Sequence, residues 1–324
     1  MNREDLYEFQ TQMRALNRAL KEKYDPLFSM SKKDFKGSLT EEIGSLFHLD
    51  PLSEGELKNM GTVAGVDGSV TRSGGAYPHY IELFQGLALS LKGEEKRVRR
   101  VYTPVLTEDD TMSAEKIHDR YLAEVELEAA IGIIEESRVD VIIMDGGLLR
   151  YKINSGEKWE ELRSRCISEK VLLVGAIKDI KTRDIAERMG KARAFYDREI
   201  LAGKLDLGDL LLLAERPKEE AGEMSKEAAG LTSGFYRPTD HWEVVGLDVL
   251  EEQKDYLLTL ARLLYTLTPK KGRGVPFWID VVDKRVKVSP TDLKLLMEES
   301  MDRDMMERFS YRKEIGECRC KLKY

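Results

Sequence analysis

Two aspartates interrupt otherwise apolar stretches of this chain. Asp67 lies in Val63-Ala64-Gly65-Val66-Asp67-Gly68-Ser69, and Asp145 closes Val139-Asp140-Val141-Ile142-Ile143-Met144-Asp145. Glycine follows each of them: Gly68 after the first, Gly146-Gly147 after the second. A single aspartate at a strand end is ordinarily a turn former or a cap. Two of them, borne by separate strands, can point into one cleft. Hard divalent cations such as Mg²⁺ and Mn²⁺ take oxygen ligands of this kind. Two such ions about 4 Å apart can activate water and stabilise the leaving oxygen in phosphodiester hydrolysis. The segment between the aspartates is rich in glutamate. Glu124 and Glu128 stand four apart and share a helical face, whereas Glu126 lies well round from both. Glu128 is the expected third carboxylate, because Ala129, Ala130 and Gly132 beside it permit close packing on a sheet. Glu124 is the alternative. Lys178, after a second apolar run, could hold a phosphate or orient water. A lysine snorkelling from a strand end is the commoner explanation.

Other chemistries find less support. The four histidines, His48, His79, His118 and His241, form no motif. A serine hydrolase would call for G-x-S-x-G, which is missing. There is no G-x-x-x-x-G-K-[ST], so the chain is not itself a P-loop motor. An actin-like phosphotransferase would need a second phosphate loop in a duplicated half, and no internal repeat is present. The three cysteines, Cys166, Cys318 and Cys320, are odd in number and lack a disulfide framework. Cys318-x-Cys320 lacks the further ligands a zinc site needs and reads as free thiols in a tail. No apolar run approaches the ~20 residues of a membrane span, and no secretory leader is evident, so a cytoplasmic protein is expected. The net charge of −7, from 52 basic and 59 acidic residues, does not advertise a nucleic-acid binder. Local basic clusters, not the total, decide contact with phosphates.

The elements that would position these residues follow from periodicity. Residues 3–23 carry Leu6, Phe9, Met13, Leu16 and Leu20 at helical spacing, and a short helix is expected near 40–48. Three strands, 62–70, 77–91 and 96–106, read as an antiparallel meander with a glycine-rich first turn. A helix over 113–136, capped by Ser113, leads to a buried strand ending at Asp145. A helix at 155–170, a buried strand at 171–177 and a charged helix follow. The order β-β-β-α-β-α-β-α describes a mixed α/β sheet of the RNase H-like kind. A helix at 249–266, a strand over 275–283 and a closing helix at 290–299 complete the chain. The expected organisation is a helical extension over 1–58, a catalytic domain over 59–300 with a peripheral segment at about 203–248, and a tail over 301–324.

Taken together, VDGS at 66–69, MDGGLL at 144–149 and VGAIKD at 174–179 resemble the NurA nucleases, in that order. Archaeal members carry Gly-Tyr-Pro with a histidine eight residues after the tyrosine. Here Gly274-Val275-Pro276 is followed at that interval by Asp283. The resemblance spans roughly residues 60–290. It implies an RNase H-like deoxyribonuclease active in DNA-end processing and repair, as a 5′–3′ exonuclease and single-strand endonuclease. Asp67, Asp145 and a helix glutamate would bind metal, with Asp283 in place of the histidine and Val275 in place of the tyrosine. It further implies manganese (with magnesium as a substitute), two ions, a homodimer, single- and double-stranded DNA as substrates, and a HerA-type hexameric ATPase as partner. A catalytically degenerate adaptor of that ATPase is the alternative.

Overall fold

A computed structural model of the chain describes residues 2–107, 110–190, 195–214, 226 and 229–309. The Cys318 and Cys320 pair lies outside them. The strands are β1 (Gly44–His48), β2 (Val63–Gly74), β3 (Tyr80–Ser90), β4 (Glu95–Tyr102), β5 (Val141–Asp145), β6 (Leu172–Ile177), β7 (Asp209–Leu213), β8 (Leu231–Tyr236) and β9 (Val245–Leu250). The helices are α1 (Arg3–Phe28), α2 (Lys32–Glu42), α3 (Glu54–Asn59), α4 (Thr111–Glu136), α5 (Leu149–Asn154) and α6 (Gly156–Ser168) in the first half. The second half adds α7 (Asp184–Arg188), α8 (Asp197–Leu201), α9 (Leu257–Leu267), α10 (Phe277–Val286), α11 (Pro290–Ser300) and α12 (Arg303–Phe309).

All the described strands join one sheet, in the order β1-β7-β8-β9-β6-β5-β2-β3-β4. Its heart is the expected meander: β2 and β3 are antiparallel, as are β3 and β4, and β5 and β6 run parallel to β2 and to each other. That arrangement is RNase H-like. The short turns of the meander enforce antiparallel pairing, while the helical crossovers through α4 and α6 allow parallel strands. Every residue of β3 is buried, because helices cover both faces. On one face α4, α5 and α6 pack through Leu127, Ile133, Tyr151, Trp159 and Leu162. On the other, α9 and α10 pack through Leu260, Leu264 and Ile279. No helix among the described residues is long and apolar enough to cross a membrane.

Several sequence expectations are corrected here. Residues 275–283 form no strand: Pro276 caps α10, whose buried positions Ile279, Val282 and Val286 recur at helical spacing. The apolar run reads as a strand only because valines and aromatics dominate it, and tertiary packing overrides that preference. Segment 203–248 is not merely peripheral, since it supplies β7, β8 and the start of β9 to the central sheet. Residues 44–48, expected as helix, form β1, which pairs with β7 along Gly44↔Leu213 to His48↔Asp209. The expected helix at 249–266 begins at Leu257, because β9 and a 3₁₀ turn occupy the residues before it. The cap of α4 is Asp110, which accepts from the Ser113 amide at 2.7 Å. Helix α1 is present as expected, but its apolar positions Leu6, Phe9, Met13, Leu16 and Leu20 stay exposed.

Candidate active site

The ladder between β2 and β5 ends at Val66↔Met144. Asp67 and Asp145 are the next residues on each strand, so both sit where the two strands part. A gap between diverging strands is open to side chains from either face of the sheet. From one face comes Glu126 of α4; from the other comes Asp283 of α10. Asp67 is 7% exposed and Glu126 is 2% exposed. Asp67 Oδ1 accepts from the Gly68 amide at 2.7 Å, which fixes the carboxylate.

The carboxylates also act on one another electrostatically. Burial pushes the Asp67 carboxyl up to about 8, and the negative charges of Asp145, Glu126 and Asp283 add to the rise against the Gly68 amide. Asp145 is also raised, first by burial and then by Asp283, against the opposing pull of Arg150. Glu126 is raised by burial, while Arg150 and Tyr151 counteract it. Four carboxylates from four elements, three of them largely buried, thus act on one another.

Their supports are equally specific. Glu126 Oε2 accepts from Arg150 and from the Tyr151 hydroxyl. Arg150 Nη2 also donates to the Asp145 carbonyl at 3.0 Å. Gly146 takes the left-handed φ of 106°, which turns the chain sharply after Asp145 and favours glycine. Asp248 of β9, fully buried, accepts from the Leu148 amide at 3.0 Å, from Ser233 Oγ at 2.6 Å and from Lys226 Nζ at 2.6 Å. That network ties down the loop that follows Asp145. On α10, Asp283 pairs with Lys287 at 2.8 Å and lies 4.0 Å from Arg273, which also binds Asp280.

Of the residues expected from sequence, the structure brings Asp67, Asp145 and Asp283 together. It does not bring Glu128 or Glu124. Both bind Arg100 of β4, Glu128 at 3.4 Å. Glu126 takes the place instead. No single helical face marks Glu126 in the sequence, because α4 is buried almost all round from Ala123 to Ile134. The available signal was a pair of glycines. Gly68 and Gly86 are register partners on β2 and β3. A Cβ on Gly86 would sit 2.0 Å from the Val125 carbonyl oxygen, and one on Gly68 2.4 Å from Glu126 Oε1. The two glycines make a flat landing for α4 at the turn that carries Glu126. Gly86→Ala is therefore expected to destabilise the fold by about 2–4 kcal/mol. Urea unfolding checks this, and an unchanged midpoint would contradict the close approach. Lys178 follows β6, exposed, at the same sheet end as Asp145 but outside the carboxylate cluster.

A family model of the NurA domain matches residues 61–288, about two thirds of the chain. The chain belongs to the NurA family. Among solved structures it is similar to the NurA nuclease from Sulfolobus solfataricus, at 13% identity and a TM-score of 0.59, covering 94% of this chain and 99% of that one. A second NurA structure matches at 10% identity and a TM-score of 0.56, covering 91% of this chain and 99% of that one. At such identities the likeness shows the fold. Among curated proteins no relative matches the chain. The NurA match contains Asp67, Glu126, Asp145 and Asp283, so all four lie within the family domain.

The donor set suits a hard divalent cation: four carboxylates, no thiolate, no imidazole. Burial first, and then neighbouring carboxylates, raise Asp67 and Asp145, and a bound cation would reverse that by favouring their ionised forms. Among the described residues no three potential ligands yet stand at the spacing of one ion. Arg150 draws Glu126 to one side. Rotation of carboxylate side chains would bring the oxygens to a cation's coordination distance.

Proposed function

We propose that this NurA-family chain is a divalent-metal-dependent deoxyribonuclease whose centre is Asp67, Glu126, Asp145 and Asp283. The observation that carries the reading is Asp67, buried at a strand parting among three other carboxylates from separate elements. Folding does not tolerate such uncompensated charge without a purpose, and relief by a cation is the simplest one. Glu128, favoured on sequence, gives way to Glu126 because its carboxylate is engaged by Arg100.

Asp67, Asp145, Glu126 and Asp283 would hold the metal. When bound, one or two ions would supply an activated water and stabilisation of the departing oxygen. The chain's own groups do the rest. The Gly68 amide fixes Asp67, and Arg150 with Tyr151 restrains Glu126. The Asp248 network holds the turn after Asp145. Arg273 and Lys287, beside Asp283, offset repulsion between the carboxylates and an incoming phosphodiester. Lys178 is proposed to contact a phosphate beyond the scissile bond.

The family resemblance supports the finer features: manganese with magnesium as a substitute, two ions, 5′–3′ exonuclease and single-strand endonuclease action, a homodimer, and a HerA-type hexameric ATPase in DNA-end resection. Work on DNA ends suits the cytoplasm, as does the absence of a disulfide framework in the sequence. The test is cleavage of single- and double-stranded DNA by the purified chain. Activity is expected with Mn²⁺ or Mg²⁺ and none with EDTA, and the cation alone should raise the melting temperature. Cleavage that persists in EDTA would sink the metal-dependent reading. Inactivity with every metal, with and without the ATPase, would favour the adaptor.

A further inference from the structure

A cleft of about 1340 Å³ opens beside the carboxylate centre. It exceeds the ~300–1,000 Å³ of an ordinary small-molecule pocket. Two features join it to the centre. Arg273 lines the cleft, binds Asp280 on α10 and lies 4.0 Å from Asp283. Lys178 lines it and follows β6, the parallel neighbour of the strand that ends in Asp145. The cleft therefore lies at the carboxyl ends of the parallel strands, where open α/β sheets bind ligands.

Its lining opposes the acidic character of the whole chain. Six lysine and arginine side chains face it against three aspartates and glutamates, whereas the chain carries a net charge of −7. Lys178, Lys181 and Arg198 form no ion pair with any described residue. Of the three large aromatic rings in the lining, Tyr24 is half-buried and Tyr196, 41% exposed, already carries the Arg183 guanidinium over its ring at 4.2 Å, whereas Trp242 is 54% exposed. An exposed tryptophan beside cations offers a ring on which a base can stack.

We propose that this cleft is the lane for a single nucleic-acid strand, with phosphates on Lys178, Lys181 and Arg198 and a base stacked on Trp242. The proposal rests on the nuclease reading and names the form of the substrate that approaches the centre. A duplex buries its base faces and could use the cations alone. A single strand offers both a charged backbone and free ring faces, and basic grooves with aromatic platforms bind it in this way.

The experiment measures binding by the full chain in EDTA, so that cleavage does not intervene. A short fluorescein-labelled oligothymidylate and a duplex of the same length serve as probes. Trp242→Ala is expected to weaken the single-strand complex about 10-fold. Lys181→Ala and Arg198→Ala should each lower the salt slope by about 0.7. Protein fluorescence gives a second readout, since Trp159 is fully buried and Trp278 is half-buried. Quenching on oligonucleotide binding should disappear in Trp242→Phe, a variant that keeps the fold. Wild-type affinity in both Trp242→Ala and Arg198→Ala overturns the lane, as does tighter binding of the duplex. Trp242-dependent binding by a chain that cleaves nothing under any metal would leave the lane standing and remove the nuclease reading. Cleavage with binding indifferent to Trp242 would do the reverse.

Discussion

Asp67→Asn is expected to abolish DNA cleavage while making the metal-free protein more stable. The loss of activity should reach at least about 10³-fold, equivalent to ~4 kcal/mol of transition-state stabilisation. The gain in stability arises from the same charge. In the folded chain the Asp67 carboxyl is pushed up to about 8 from an ordinary 3.8, mainly by burial and then by Asp145 and Glu126. The folded state therefore binds this proton more tightly than the unfolded state does. Without metal, stability must fall as pH rises from about 4 towards about 8. Asparagine has the shape of the carboxylate without its charge and should remove that part of the slope. At pH 8 a gain of about 1–3 kcal/mol is expected, after allowance for relaxation of the neighbouring carboxylates. Thermal unfolding of both proteins in EDTA, across that pH range, measures it. Equal or lower stability of the variant would show that Asp67 is not held against repulsion. Sites built for function commonly carry such a cost.

The second large effect separates two glutamates a half-turn apart. Glu126→Gln should lower cleavage by about 10²-fold or more, since it removes a buried anionic oxygen donor from the centre. Glu128→Gln should leave cleavage within a few-fold of the parent, because Glu128 engages Arg100 on β4. Glutamine can still accept from Tyr151 and Arg150, so the Glu126 variant should fold. Glu126→Ala would instead leave Arg150 partly buried beside a void and cost about 3–5 kcal/mol. Steady-state cleavage of single-stranded DNA in saturating Mn²⁺, beside circular dichroism of each variant, distinguishes the two. Equal losses at Glu126 and Glu128 would mean that α4 rotates on binding metal. A loss confined to Glu128 would reinstate the reading made from sequence alone.

The NurA domain match and the RNase H-like meander bear out what short motifs and alternating patterns indicated. Those signals are local. The acidic interruptions at Asp67 and Asp145 are visible because each breaks a run of apolar residues, and the tight turns of the meander constrain its pairing. Asp283 was legible only as a position at a family interval, and its element was misread. Phe277-Trp278-Ile279 followed by two valines suits a strand by composition. It becomes helix α10 because Gly65 of β2 leaves room there: a Cβ on Gly65 would lie 3.0 Å from Trp278 and 3.1 Å from Val282.

By itself, then, the sequence determined the family, the order of the central strands and the two strand-borne aspartates, since each is written in neighbouring residues. Tertiary structure alone decided which helix glutamate joins them and which cations line the neighbouring cleft. Both depend on contacts between residues far apart in the chain. Glu126 reaches the centre only because Gly68 and Gly86 lie side by side across two strands and let α4 settle onto the sheet. Lys178, Arg198 and Arg273 share one cleft only because the strand ends and the α10 turn meet there. Periodicity can say that a residue faces inward; it cannot say what it will meet.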